Sequence, residues 1–374
     1  MNTGRTRNSA IELLRCLCMM LIIAHHYSFH GEIPALSAET WCPGRVFLQV
    51  IMLYGKTACS VFAILTGYYM SVSRCVGHYR KWSAYYAQVL FYSVACPAVM
   101  HFMNGEALGA KMMIRAAVPL VYGSWYARFF LIMYLFVPFI NRLVRGLSDR
   151  DLAALAALTV LVWSVIPTVF RFRLDFGNLD FFLVMYIVGS WLRRYEKRFR
   201  EKPAWIYGFA ALACAFVIAA PTLILDTLRY EHGLRIAFLE NDEGYFATIN
   251  ALPALACAVL LVLCFQRMFF ESAAVNVLGR TVFGVYLIHD NDHVRAWLWT
   301  VLSPNAGYWR DPWLHAPAKI LGVFAVCAAI ELLRQKTIGV WFEKLLDAVF
   351  RTDADRDIGH DRYKEGGDSN EQSL

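Results

Sequence analysis

The first apolar stretch of the chain carries five ionisable side chains: Glu12, Arg15, His25, His26 and His30. A charged group at the centre of a bilayer costs roughly 2.5–3.5 kcal/mol on the least severe scales, so each needs a partner or a purpose. Helical spacing sorts these residues. Arg15 and His26 are eleven positions apart, and at about 100° per residue they return to nearly the same face, roughly 16 Å apart along the axis. Glu12 stands one turn before Arg15 as an i,i+3 partner, His30 one turn beyond His26, and His25 about 100° away. Snorkelling would account for Arg15 alone, and capping of the outer helix end for the histidines. As a stripe they offer chemistry: imidazole suits general-base work near neutral pH, and a guanidinium fork holds phosphate or carbonyl oxygens. His26 and His30 also have metal-ligand spacing, but no third ligand is near in sequence, so no metal site is expected.

A second polar cluster interrupts the ninth apolar stretch. After Gly279-Arg280 and Tyr286, five ionisable residues fall between 289 and 295: His289, Asp290, Asp292, His293 and Arg295. Such a segment cannot face lipid; it lines a cavity or packs inside a bundle. Glu331 and Arg334, one turn apart near the end of the last stretch, read most simply as a charge pair inside the bundle.

These clusters need helices to hold them, and the composition supplies them. Of 374 residues, 58% are hydrophobic and 17% charged, with a mean hydropathy of +0.43. That leaves too little polar surface to cover a soluble core of this size. About ten stretches reach the roughly 20 residues needed to span a bilayer: 10–30, 46–72, 82–104, 125–145, 151–170, 179–195, 204–225, 245–267, 281–303 and 316–341. The fold class is therefore an all-α, polytopic transmembrane bundle of about ten helices. Its domain is expected over residues 1–345, followed by a cytoplasmic polar tail, 346–374, read as disordered.

The net charge of +7 lies in short bursts between spans, with no basic stripe of the kind nucleic acid needs. With the N-terminus inside, the cytoplasmic loops hold Arg5, Arg7, Arg74, Arg80, Lys81, Arg142, Arg145, Arg150, the burst from Arg193 to Lys202, and Arg267, 15 residues in all. The opposite loops hold 8: Arg45, Lys111, Arg115, Arg171, Arg173, Arg229, Arg235 and Arg310. The positive-inside rule then places both termini in the cytoplasm, with the loop 226–244 outside. The ten cysteines lie mostly in apolar segments and form no CxxC pair, so neither a disulfide framework nor a zinc site is expected. The first stretch is too polar for a signal-peptide core.

In this order and spacing the motifs resemble the acyltransferase 3 family of ten-helix membrane proteins that O-acylate surface glycans. The resemblance covers about residues 8 to 345. Its most specific mark is Arg15, ten intervening residues, and His26. Gly55-Lys56, Val61-Phe62 and Thr66-Gly67-Tyr68 resemble the family's second span, with Thr66 where a Ser usually stands. Trp125-Tyr126 through Tyr134, Pro138, Phe139 and Asn141 resemble the fourth, Phe181-Phe182 to Tyr186 and Gly189 the sixth, and Gly284 to His289 the ninth. The family's RxxR pair after the second span is replaced by Arg74, His78, Arg80 and Lys81.

The resemblance implies a stand-alone O-acyltransferase of the inner cell membrane. Its donor would be acetyl-CoA or another acyl-CoA, its acceptor a sugar hydroxyl of a surface or lipid-linked glycan, with no tightly bound cofactor and no nucleic-acid partner. His26 would be the catalytic base or relay and Arg15 would position the donor. Lys56, Arg80, Lys81, Trp125 and Tyr126 are candidates for donor contacts. His25, Tyr68, Asn141, Tyr286, His289, Asp290, Arg295, Glu331 and Arg334 are candidates for lining the acceptor cavity. The competing class is a transporter or exporter of a glycan or small solute, because intramembrane charges mark substrate paths there too; the lack of an internal repeat weighs against it.

Overall fold

The computed structural model describes residues 8–31, 42–73, 78–105, 109–171, 178–228, 232, 245–302 and 311–350. Arg5, Arg7, Arg74, Arg173, Arg229, Arg235 and Arg310, nearly all of the loop 226–244, and tail residues 351–374 lie outside the described residues.

Every regular element among the described residues is helical. Helix α1 (Ser9–His30) starts where Asn8 Oδ1 accepts the Ala10 N–H at 3.0 Å, meeting one of the orphan donors of a helix start. Then come α2 (Pro43–Met52), α3 (Gly55–Met70), α4 (His78–Asn104), the short α5 (Ala110–Ala117) and α6 (Pro119–Tyr122), and α7 (Trp125–Gly146). Helix α8 (Asp149–Val160) runs through a π-helical turn, Leu161–Val165, into α9 (Ile166–Phe170). The rest are α10 (Leu179–Arg194), α11 (Glu196–Phe199), α12 (Ala204–Asp226), α13 (Leu252–Gln266), α14 (Ala273–His289), α15 (Asp292–Leu302) and α16 (Pro312–Lys336). Residues 338–350 are helical as well.

Seven segments among the described residues are long and apolar enough to cross a membrane: Ser9–His30, Pro43–Met70, His78–Asn104, Trp125–Gly146, Asp149–Phe170, Ala204–Leu225 and Pro312–Lys336. Helices α13 and α14 are shorter apolar helices. The chain is a multi-pass, all-helical membrane protein.

Helices α1, α3, α10 and α14 form the centre, burying Tyr27, Ile64, Phe181, Phe182, Tyr186 and Val285 in one cluster. Inside lipid, helices associate by close packing rather than by hydrophobic exclusion, which favours small residues at crossings. The α3–α10 crossing shows this. A Cβ on Gly67 would strike the Tyr186 carbonyl, and one on Gly189 the Ile64 carbonyl.

Two expected spans are broken. The second divides at Leu53–Tyr54 into α2 and α3, and His25 Nδ1 bonds the Met52 carbonyl at 2.7 Å across the break. The ninth, expected at 281–303, begins instead at Ala273, where the Ser272 hydroxyl accepts the Val275 N–H, and stops at His289. Asp290 leaves helical geometry, and Asn291 Oδ1 accepts the His293 N–H to open α15. Short polar side chains that bond nearby backbone favour caps and turns over helix interiors, and a run of Asp-Asn-Asp applies that preference three times.

Candidate active site

Helix α1 carries Arg15 and His26 toward opposite ends of one face, as their spacing requires. Arg15 Nη1 bonds Glu12 Oε2 at 2.7 Å, and the Arg15 side chain keeps 28% of its surface exposed. His26 meets the C-terminal end of α14. Its Nδ1 lies 3.1 Å from His289 Nε2 and 3.6 Å from Asp290 Oδ1. His289 is fully buried, and its Nδ1 lies 2.7 Å from the Val285 carbonyl.

This chain of contacts sets the proton positions. A carbonyl only accepts, so His289 Nδ1 carries the hydrogen. In a neutral ring its Nε2 is then an acceptor, and His26 Nδ1–H must be the donor. The remaining nitrogen of neutral His26, Nε2, keeps a free lone pair, which is the form a general base requires. Asp290 adds a carboxylate beside the ring that would stabilise the imidazolium formed on proton uptake, and Arg295 Nη1 holds that carboxylate at 3.0 Å.

Two cavities lie beside this group, one lined by Ile22 and the other by Asp290. The first, about 710 Å³, follows α1 from Asn8 through Glu12, Arg15 and Met19 to Ile22. At 1.5 Å per residue that is roughly 21 Å of helix. It ends against Cys59, Tyr126 and Tyr286. The second, about 570 Å³, lies between α4, α5 and the 290–293 turn and is lined by Ser124, Leu287 and Asp290 among others. His26 lines neither; it stands one turn beyond Ile22, in the partition between them, with 12% of its side chain exposed.

The remaining sequence candidates fall into three groups. Tyr68, Tyr126 and Tyr286 line the first cavity, and Asp290 the second. Arg295 and His289 reach the partition through Asp290 and His26. The others have separate contacts. His25 seats the α2–α3 break and stacks on Phe29, and a Cβ on Gly55 would overlap its ring. Asn141 ties α7 to its neighbours, accepting from the Tyr186 hydroxyl at 2.6 Å and donating to the Met70 carbonyl at 2.8 Å. Glu331 is fully buried and held by Nε and Nη2 of Arg334, by Tyr92, Gln88 and Gln335. Lys56 lies 4.9 Å from the Trp125 ring centre. Arg80 bonds Glu343 and Asp347 of the 338–350 helix. Neither Lys56, Arg80, Lys81 nor Trp125 lines the first cavity.

Besides Arg15, two basic residues line it that sequence reading missed. Arg193 and Arg200, with Glu196, sit at its Arg15 end. Arg193 Nη1 bonds the Tyr68 hydroxyl at 3.1 Å and Glu196 at 2.5 Å, and Arg200 pairs with Glu196. Both arginines belong to the burst read only as a topology signal. The metal question also changes in three dimensions: His26, His30 and Asp290 each place one ligand atom within 4.8 Å of the others. Asp290 is the third donor that proximity in sequence did not supply, although Arg295 occupies the same carboxylate.

Among curated proteins and solved structures, no significant match was found. A family model of an acyltransferase domain, acyltransferase 3, matches residues 8–332. That range holds α1, both cavities and the His26–His289–Asp290 group. The chain belongs to the acyltransferase 3 family and is a membrane-embedded acyltransferase.

Proposed function

We propose that the protein moves an acyl group, acetyl in the simplest case, from acyl-CoA to a sugar hydroxyl of a surface or lipid-linked glycan. His26 is the base in this reading, and the donor enters the cavity at the Arg15 end. That end faces the cytoplasm, where CoA thioesters are made, and the protein occupies the inner cell membrane with both termini inside. The basic burst of Arg193 to Lys202 at the same end supports this orientation. Arg15, Arg193 and Arg200 hold the donor's phosphate or carbonyl oxygens. In the absence of donor their charge is offset by Glu12 and Glu196.

The acceptor reaches the partition from the second cavity. The observation that carries the reading is the lone pair left on His26 Nε2 by the Val285–His289–His26 chain. A base so oriented takes the hydroxyl proton as oxygen attacks the thioester carbon, a contribution of typically 10²–10⁴ in rate. The test uses the purified protein in vesicles, labelled acetyl-CoA and a membrane glycan fraction. Label should appear as glycan ester, with one free thiol released per ester formed. Solute movement without thioester consumption would favour the transporter class instead.

A further inference from the structure

Each cavity is lined by a residue with a buried hydroxyl. Tyr286, 5% exposed, lines the end of the first cavity; Ser124, the residue before α7, lines the second. Among the described residues neither the Tyr286 hydroxyl nor the Ser124 hydroxyl has a hydrogen-bond partner. The Ser124 hydroxyl and the Asp290 carboxylate stand close enough to the phenol oxygen to interact with it, but not in hydrogen-bond geometry. The ring packs edge-on against two others: its centre lies 5.7 Å from the Tyr126 ring and 6.1 Å from the His289 ring. A buried phenol that makes no well-formed hydrogen bond is costly to keep and calls for a specific explanation.

A reaction that develops charge at this point supplies one. Resting on the acyl-transfer reading above, we propose that Tyr286 is a further catalytic residue: its hydroxyl donates to the thioester carbonyl oxygen at the inner end of the first cavity. Donor enters along α1 past Arg15 and Ile22, so its thioester arrives at the cavity end that Tyr286 closes. As the acceptor oxygen bonds the thioester carbon, its proton passes to His26 Nε2 and the carbonyl electron pair moves onto oxygen. Tyr286 hydrogen-bonds that oxyanion without giving up its proton. The pair then returns, the C–S bond breaks, and the CoA sulfur leaves with the proton released by His26. Ester and free thiol are the products. Donors fixed in a dry site need no reorganisation as the charge forms, which is why they favour the transition state over the ground state.

Tyr286→Phe tests this, because a structural role and a catalytic role move different readouts. Removing an unpaired buried hydroxyl should leave thermal unfolding in detergent unchanged or slightly raised. The kcat for acyl transfer should fall by about 10²–10³-fold, the loss typical of one oxyanion donor, with KM for acetyl-CoA within about twofold. Ser124→Ala, which spares the phenol, should cost less than about tenfold. Wild-type turnover in Tyr286→Phe would overturn the proposal, as would a loss confined to KM. Absence of transfer by the wild-type protein would instead overturn the acyl-transfer reading on which it rests.

Discussion

His289 Nε2 lies 3.1 Å from His26 Nδ1, although 263 positions separate the two residues in sequence. The contact makes His289 the group that decides which nitrogen of His26 is free. His289→Leu removes the acceptor and lets the His26 ring take either tautomer. The expected result is a kcat lowered on the order of 10–100-fold, part of the 10²–10⁴ that a positioned base contributes. His289→Gln, whose amide oxygen can accept the same hydrogen bond, should retain more activity. Equal loss in both variants would indicate that bulk, not proton placement, is what His289 provides.

Donor binding should follow the residues that line the first cavity. Arg193→Ala removes a charge at its Arg15 end and should raise KM for acetyl-CoA by about tenfold, given roughly 1.5–3 kcal/mol for a hydrogen bond to a charged group. Arg80→Ala should leave KM within about twofold. Arg80 contacts Glu343 and Asp347, which are half exposed, and pairs of that kind contribute about 0–1 kcal/mol. Initial-rate kinetics over a range of acetyl-CoA separates the two.

Glu331 and Arg334 make a stability prediction. Glu331→Ala leaves the Arg334 guanidinium, only 12% exposed, without its carboxylate, and breaking a buried pair in this way costs about 3–5 kcal/mol. Replacing both residues by methionine should be less damaging than the single change. Thermal unfolding of the three variants in detergent gives the comparison; additive losses would show that the pair is not coupled.

The α3–α10 crossing should not tolerate a side chain. Gly189→Leu drives Cβ into the Ile64 carbonyl, and overpacking of this kind costs about 1–3 kcal/mol. Lower recovery of folded protein and a lower unfolding temperature are expected. The same change at Gly146, where a Cβ meets nothing within 4 Å, should be nearly neutral.

What the sequence made legible was what lies along a single helix. Arg15, His26 and Glu12 share α1, so periodicity alone placed them on one face and paired Glu12 with Arg15. The charge pair of Glu331 and Arg334 was readable for the same reason. Contacts between helices carry no such signal. Nothing in the spacing tells that His289, not His30, would be the partner of His26 Nδ1, or that Asp290 would supply a third ligand-like atom. His25 looked equivalent to His26 by type, yet the break at Leu53–Tyr54 claims it for a backbone carbonyl. Arg193 and Arg200 were hidden by their context, because a basic burst at a helix end already has a sufficient topological explanation. The break after His289 was present in the sequence as Asp290-Asn291-Asp292, but the apolar residues on both sides of it made 281–303 read as one interrupted span.

Proton removal from the attacking hydroxyl by His26 is read by single-turnover acyl transfer in His26→Gln. Glutamine keeps a donor toward His289 and nearly the volume of the ring, but no base. With the protein inserted and acetyl-CoA bound as in the wild type, the transfer rate should fall by about 10²–10⁴-fold. A rate within about threefold of wild type would show that His26 is not the base, because no proton-accepting role of that size survives it.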